Sequence, residues 1–182
     1  MKSTLLLSDL IEMTEENLSR SEKFYQLSEK ELNFKINKDK WSILECLEHL
    51  NRYGDFYLPE IKNRIQTSRK PKEDEFKSGL LGNFFAKSML PKEKLNKMKT
   101  FKSMDPIGSN LDKSVLDKFI SQQKTLLELL ENAKAVSLTK TKTGISISKW
   151  IKLRLGDTFR VVIYHNLRHI IQAEKVMKEA SR

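Results

Sequence analysis

Apolar side chains recur at three- and four-residue spacing along most of the chain, and two stretches break that rhythm. From about Thr4 to Tyr25, the residues Leu7, Leu10, Ile11, Leu18 and Tyr25 fall on one side of a predicted helix whose other side is Glu, Ser and Asn. Residues 27–40 place Leu32, Phe34 and Ile36 among polar neighbours and end in Asn37-Lys38-Asp39-Lys40, which reads as a connection with a few anchored apolar side chains. Ser42 and Glu45 stand at capping-box spacing, so a second helix starts close to Ser42. Ile43, Leu47, Leu50, Gly54, Tyr57, Ile61 and Ile65 carry its buried stripe to about Gln66.

Between Thr67 and Asn110 the rhythm fails, with Pro71, Gly79, Gly82, Pro91, Pro106 and Gly108 punctuating short apolar clusters. The stretch is too long for a tight turn between neighbouring helices and suits a crossover along or over the end of a bundle. Phe84, Phe85 and Met89 within it read equally as core plugs or as a lid. A third helix follows from Asp112 or Ser114, either one a suitable N-cap, to about Lys134. Val115, Leu116, Phe119, Ile120, Leu127 and Leu130 supply its apolar face. Val136 to Leu155 mixes Thr, Ser, Ile and Lys, which suggests a short strand-like stretch and then a turn of helix near Lys149 to Leu153. Gly156-Asp157 marks the start of the last helix, with Asp157 as its cap and Phe159, Val162, Ile163, Ile170, Ala173 and Met177 as its apolar face. The expected fold is all-α: a four-helix bundle with a long crossover between helices 2 and 3, forming one domain over residues 1–182.

Composition narrows the classes. A hydrophobic fraction of 38% beside a charged fraction of 32% suits solvated helices around a single seam. The net charge of +10 raises nucleic acid or an anionic surface as partner, but 12 Lys and Arg against 4 Asp and Glu fall between Lys62 and Lys102 alone. That concentration reads either as a solvated surface or as an anion-binding lip over a site; no recognition-helix motif is visible, so nucleic acid is not the expected partner. One cysteine, Cys46, has no internal disulfide partner and points to a reducing, cytoplasmic setting. Asp9, Glu12, Glu15 and Glu16 follow Leu5-Leu6-Leu7 too soon for a secretory apolar core, and no stretch is apolar enough to span a membrane.

The candidate chemistry rests on three histidines. His165 and His169 lie four residues apart in the last helix and therefore share a face, fixing two coordination positions. His49, in the second helix, shares a side with Cys46 and Tyr53 and borders the core; it is either a metal ligand looking inward or a hydrogen-bonded boundary residue. Three imidazoles with a fourth position open are what a catalytic zinc site requires. Glu45 is a candidate acceptor behind His49, or only a helix cap. Tyr53 either lines the pocket or packs against Trp41, packing being the preferred reading, and Cys46 reads as a small core residue outside the site. No residue is assigned a catalytic role beyond metal binding.

Trp41-Ser42-Ile43 leading to Glu48-His49-Leu50, together with His165-Asn166-Leu167-Arg168-His169-Ile170-Ile171-Gln172, resembles the DinB/YfiT-like superfamily of helical-bundle proteins. The resemblance implies a divalent metal, commonly zinc or nickel, held by His49, His165 and His169 and completed by water or substrate. It further implies a small-molecule substrate and a thiol-dependent S-transferase or isomerase acting with a low-molecular-weight thiol such as bacillithiol or mycothiol. Homodimers are common among the proteins it resembles. Arg168 and Gln172 match the motif without an implied catalytic role, and Arg168 reads as structural. A metal-dependent hydrolase and a non-catalytic, ligand-binding stress-response bundle are the competing readings.

Overall fold

The first helical stripe closes into α1 (Ser3–Glu22), followed by a single 3-10 turn at Lys23–Gln26. The computed structural model describes residues 1–91 and 100–180. A short α2 (Glu29–Leu32) precedes α3 (Ile43–Thr67), α4 (Leu80–Met89), α5 (Ser114–Ala133) and α6 (Leu155–Ala180). The strands β1 (Lys142–Ile145) and β2 (Ser148–Arg154) pair antiparallel in front of α6. The chain is mostly helical with this one small sheet among the described residues.

Each of α1 and α3 packs against both α5 and α6. Their buried faces form two apolar clusters along the length of the helices. One gathers Leu6, Leu10, Ile61, Leu126 and Phe159, and the other Phe24, Ile43, Leu47, Phe119 and Ile170. Each fully buried side chain of this kind contributes roughly 1.5–3 kcal/mol. The junction of the clusters falls between Leu50 and Tyr57 on α3 and between Ile163 and Ile170 on α6. Polar side chains at that level are therefore held by apolar packing on both sides.

Helix α3 starts where its sequence says it should. The Ser42 hydroxyl accepts the Glu45 N–H at 3.1 Å, and the Glu45 carboxylate accepts the Ser42 N–H at 2.9 Å. The stripe from Ile43 to Ile61 is buried as expected, with Ile65 packed partly against the core.

Several expectations need correction. Residues 27–40 are not irregular throughout: Ser28 and Glu31 form a second capping box and start α2, whose Leu32 is buried while Phe34 and Ile36 stay exposed. Tyr25 is exposed, its hydroxyl donating to Asp117 at 2.6 Å, and Phe24 takes the core position. Late in α5 the buried leucines are Leu126, Leu129 and Leu130, with Leu127 only partly covered. The N-cap of α5 is Lys113 rather than Asp112 or Ser114, and the Asp112 carboxylate accepts the Ser114 N–H at 2.9 Å just ahead of the helix. The expected helical turn near Lys149 to Leu153 is strand β2, because Leu153 turns inward from an extended chain whose neighbours face solvent.

Asp157 is likewise not the cap of the last helix, which begins at Leu155. Its fully buried carboxylate instead accepts the Gly79 N–H at 2.8 Å at the start of α4, the Ser78 hydroxyl, and Arg160 at 3.1 Å. Gly82 allows α4 to approach this closely, since a Cβ there would lie 2.6 Å from that of Asp157. The crossover thus contains a helix packed on α6. Lys92, Lys94, Lys97 and Lys99, part of its basic run, lie outside the described residues. Among the described residues no helix is long and apolar enough to cross a membrane.

Candidate metal centre

His49 lies two turns into α3, and His165 and His169 lie one turn apart on the facing side of α6, at the level where the two core clusters meet. The three rings form a compact triangle, with centroids 5.0 Å apart for His49 and His165 and 4.7 Å for each of the other pairs. One ligating nitrogen of each lies within 4.8 Å of the other two. His49 and His169 are buried and His165 is partly buried.

The ring orientations are set from behind. His49 Nδ1 lies 2.7 Å from the Met104 carbonyl, which only accepts, so Nδ1 carries the proton and Nε2 presents its lone pair. His169 Nδ1 donates in the same way to the Gln172 side-chain oxygen at 3.0 Å, leaving its Nε2 as the free donor atom. His49 Nε2 and His165 Nε2 stand 3.1 Å apart. Two ligands about 2.0–2.1 Å from a tetrahedral zinc would be separated by roughly 3.3 Å, so this spacing fits a shared ion after a small adjustment. Without an ion, the His165 Nε2–H donates to the His49 Nε2 lone pair at this distance; with that proton moved to Nδ1, both lone pairs face one space, and neutral imidazoles, two of them backed by acceptors, are the donor set a divalent metal requires. The residues present therefore fit a metal ion.

Electrostatics favour the same state. Burial pushes the pKa of His49 down to about 4 and that of His169 to about 3. His165 is also pushed well below the ordinary range, first by burial and then by its histidine neighbours. All three rings are neutral, and so competent as ligands, at neutral pH.

Aromatic rings frame the triangle. Trp41 packs over His49 and His169 with centroids 4.6 and 5.5 Å away, and Tyr53 meets His49 and His165 edge-on at 5.0 and 4.9 Å. Tyr53 thus contacts the imidazoles themselves, contrary to the preferred reading that it packs on Trp41. Burial raises its pKa, keeping the phenol protonated. Glu45 does not back His49: its carboxylate caps α3, pairs with Lys35 at 2.6 Å and accepts the Gly108 N–H at 2.7 Å. Cys46 is fully buried in the apolar cluster, its thiol pKa raised by burial, and is not among the converging side chains.

The Met104 carbonyl is itself clamped. Trp41 Nε1 donates to the Asp105 carboxylate at 3.1 Å, and Arg52, paired with Glu48 at 2.9 Å, donates to the Asp105 carbonyl at 2.9 Å. The end of the crossover is in this way strapped over α3. Sequence reasoning missed this support because a backbone carbonyl 55 residues from His49 leaves no signature. Gln172 did leave one, an amide acceptor one turn after His169.

The triangle opens onto a cavity of about 1170 Å³. Its lining includes the polar Lys40, Arg168, Gln172 and Lys175 and the apolar Phe84, Phe85, Met89, Ile145 and Val161. Phe84, Phe85 and Met89 therefore form a wall of the cavity.

A family model described as the DinB superfamily matches residues 13–173. No curated protein and no solved structure matches the chain.

Proposed function

We propose that this chain, which belongs to the DinB superfamily, is a divalent-metal-dependent enzyme built as a four-helix bundle with a crossover, and that it transfers a small thiol to an electrophile. His49, His165 and His169 would hold the ion, zinc or nickel, with a further position open to the cavity. The observation that carries this reading is the convergence of three imidazoles, two of them pre-set by Met104 and Gln172, at the wall of a large cavity.

A bound divalent ion supplies a positive charge that keeps a thiol ionised near neutral pH. The surrounding residues provide the rest. Met104 and Gln172 fix the imidazole tautomers, so the site is organised before a ligand enters. Trp41 and Tyr53 cover ring faces and edges and limit access of water from the core side. In the transfer, the thiol loses its proton to solvent, its sulfur forms a bond to an electrophilic carbon, and the leaving group departs with the electron pair of the bond that breaks.

Cavity chemistry favours transfer over hydrolysis. Among the described lining residues the single carboxylate is Asp39, which is exposed. A hydrolase benefits from a positioned general base, and among the described residues no carboxylate stands beside the triangle. The volume also exceeds the roughly 300–1,000 Å³ typical of a pocket for one small molecule, leaving room for two substrates.

The test is turnover of 1-chloro-2,4-dinitrobenzene with a panel of low-molecular-weight thiols, using zinc- and nickel-loaded protein. Conjugation that requires both metal and protein, and is lost in His165→Ala, is expected. Metal-dependent cleavage of p-nitrophenyl acetate with no thiol conjugation would favour the hydrolase instead.

A further inference from the structure

The cavity is chemically divided. The lining supplied by α4 and the hairpin is mainly apolar, with Phe84, Phe85, Met89 and Ile147 beside Ser88 and Ser146. Its inner part is core: Ala86, Ile145, Leu153 and Val161 make a buried cluster against which Phe85 and Met89 pack. Its outer part is open, with Phe84 65% and Ile147 46% exposed. Apolar side chains left uncovered on both α4 and the hairpin, on the lip of one cavity, are a costly arrangement for a surface that meets only water. The charged and amide lining comes from other segments, Lys40 ahead of α3 and Gln172 and Lys175 on α6, alongside Trp41 and Val176. His49, His165 and His169 line the same space.

We infer that the apolar wall is an acceptor subsite, which binds the non-reacting, hydrophobic body of an electrophilic substrate and leaves the polar lining for the hydrophilic thiol. This rests on the transferase reading for the naming of the two kinds of lining, but the subsite itself needs no metal. An uncharged molecule with an aliphatic or aryl body of several carbons is the chemistry that fits. Buried against Phe85 and Met89, such a body gains about threefold to fourfold in affinity for each methylene removed from water. A small polar electrophile would leave the wall wet.

The experiment uses N-phenyl-1-naphthylamine, an uncharged fluorescent probe, titrated into metal-free and metal-loaded full-length protein. Saturable binding to both forms is expected, with 1-butanol, 1-hexanol and 1-octanol competing about threefold to fourfold more strongly per methylene. Phe84→Ser and Met89→Gln should weaken probe binding at least fivefold while metal content and helicity stay unchanged. His169→Ala should lose metal and keep probe affinity within about twofold. If no metal is found yet the probe binds with the alkanol trend, the transferase reading fails and the apolar subsite stands. Absence of probe binding in the parent overturns the inference, including the case where light scattering shows a second copy of the chain covering the lip. So does competition that does not grow with alkanol length.

Discussion

His49 and His169 are each one hydrogen bond away from being a poor ligand. If the Met104 carbonyl or the Gln172 oxygen were absent, the ring could turn or exchange tautomers, and the lone pair would no longer face the triangle. Gln172→Leu keeps the approximate size of the side chain and removes the acceptor, so metal affinity should fall about 10–100-fold by chelator competition with little loss of thermal stability. An unchanged affinity would show that Gln172 is only a neighbour. Protonation gives a second prediction. The folded pKa of His49 is about 4 and that of His169 about 3, below the ordinary value near 6.5, so the unfolded chain binds protons that the fold refuses. Stability of the metal-free protein should be full above pH 6.5 and fall as the pH drops toward 4. By pH 5 the loss from His49 is about 2 kcal/mol. Urea midpoints measured at pH 7, 6 and 5 without metal test this, and a flat profile would contradict the buried neutral cluster. At this scale the three histidines were legible because helical spacing is visible in sequence. Tyr53 was misjudged because spacing does not say which ring a side chain reaches.

At the scale of elements, the same spacing rule worked once and was overlooked once. Ser42 and Glu45 gave the start of α3, whereas Ser28 and Glu31, at identical spacing, start a helix of a single turn too short to show an apolar period. The hairpin was half legible: β1 and β2 turn through Ser146-Ile147, without the Gly or Asn that marks a tight turn. Asp157 illustrates a deeper limit. An aspartate near a helix start reads as a cap of that helix, yet here it anchors another helix 78 residues away in sequence. Replacing it leaves the Gly79 N–H and Arg160 without their buried acceptor. Asp157→Ala is expected to cost about 2–4 kcal/mol and to release α4 from α6. Hydrogen exchange should show the loss in α4 first, and a loss spread evenly over all helices would contradict a local anchor.

For the whole molecule, the order of the long helices was readable because their apolar stripes are uninterrupted. The path of the crossover was not readable. Among its contacts are a carboxylate from α6 at one end and, at the other, the Asp105 carboxylate held by Trp41 and the Asp105 carbonyl held by Arg52, and neither produces a periodic pattern. That path also shapes the candidate site, since it supplies Phe84, Phe85 and Met89 to the cavity lining and the carbonyl behind His49. The central claim is that the three histidines bind one divalent ion. It is tested most directly by elemental mass spectrometry of untagged protein, as purified and after zinc or nickel addition, with His169→Ala alongside. About one ion per chain is expected in the parent and little in the variant. A parent that stays empty after metal addition, or a variant that retains the full complement, would contradict it.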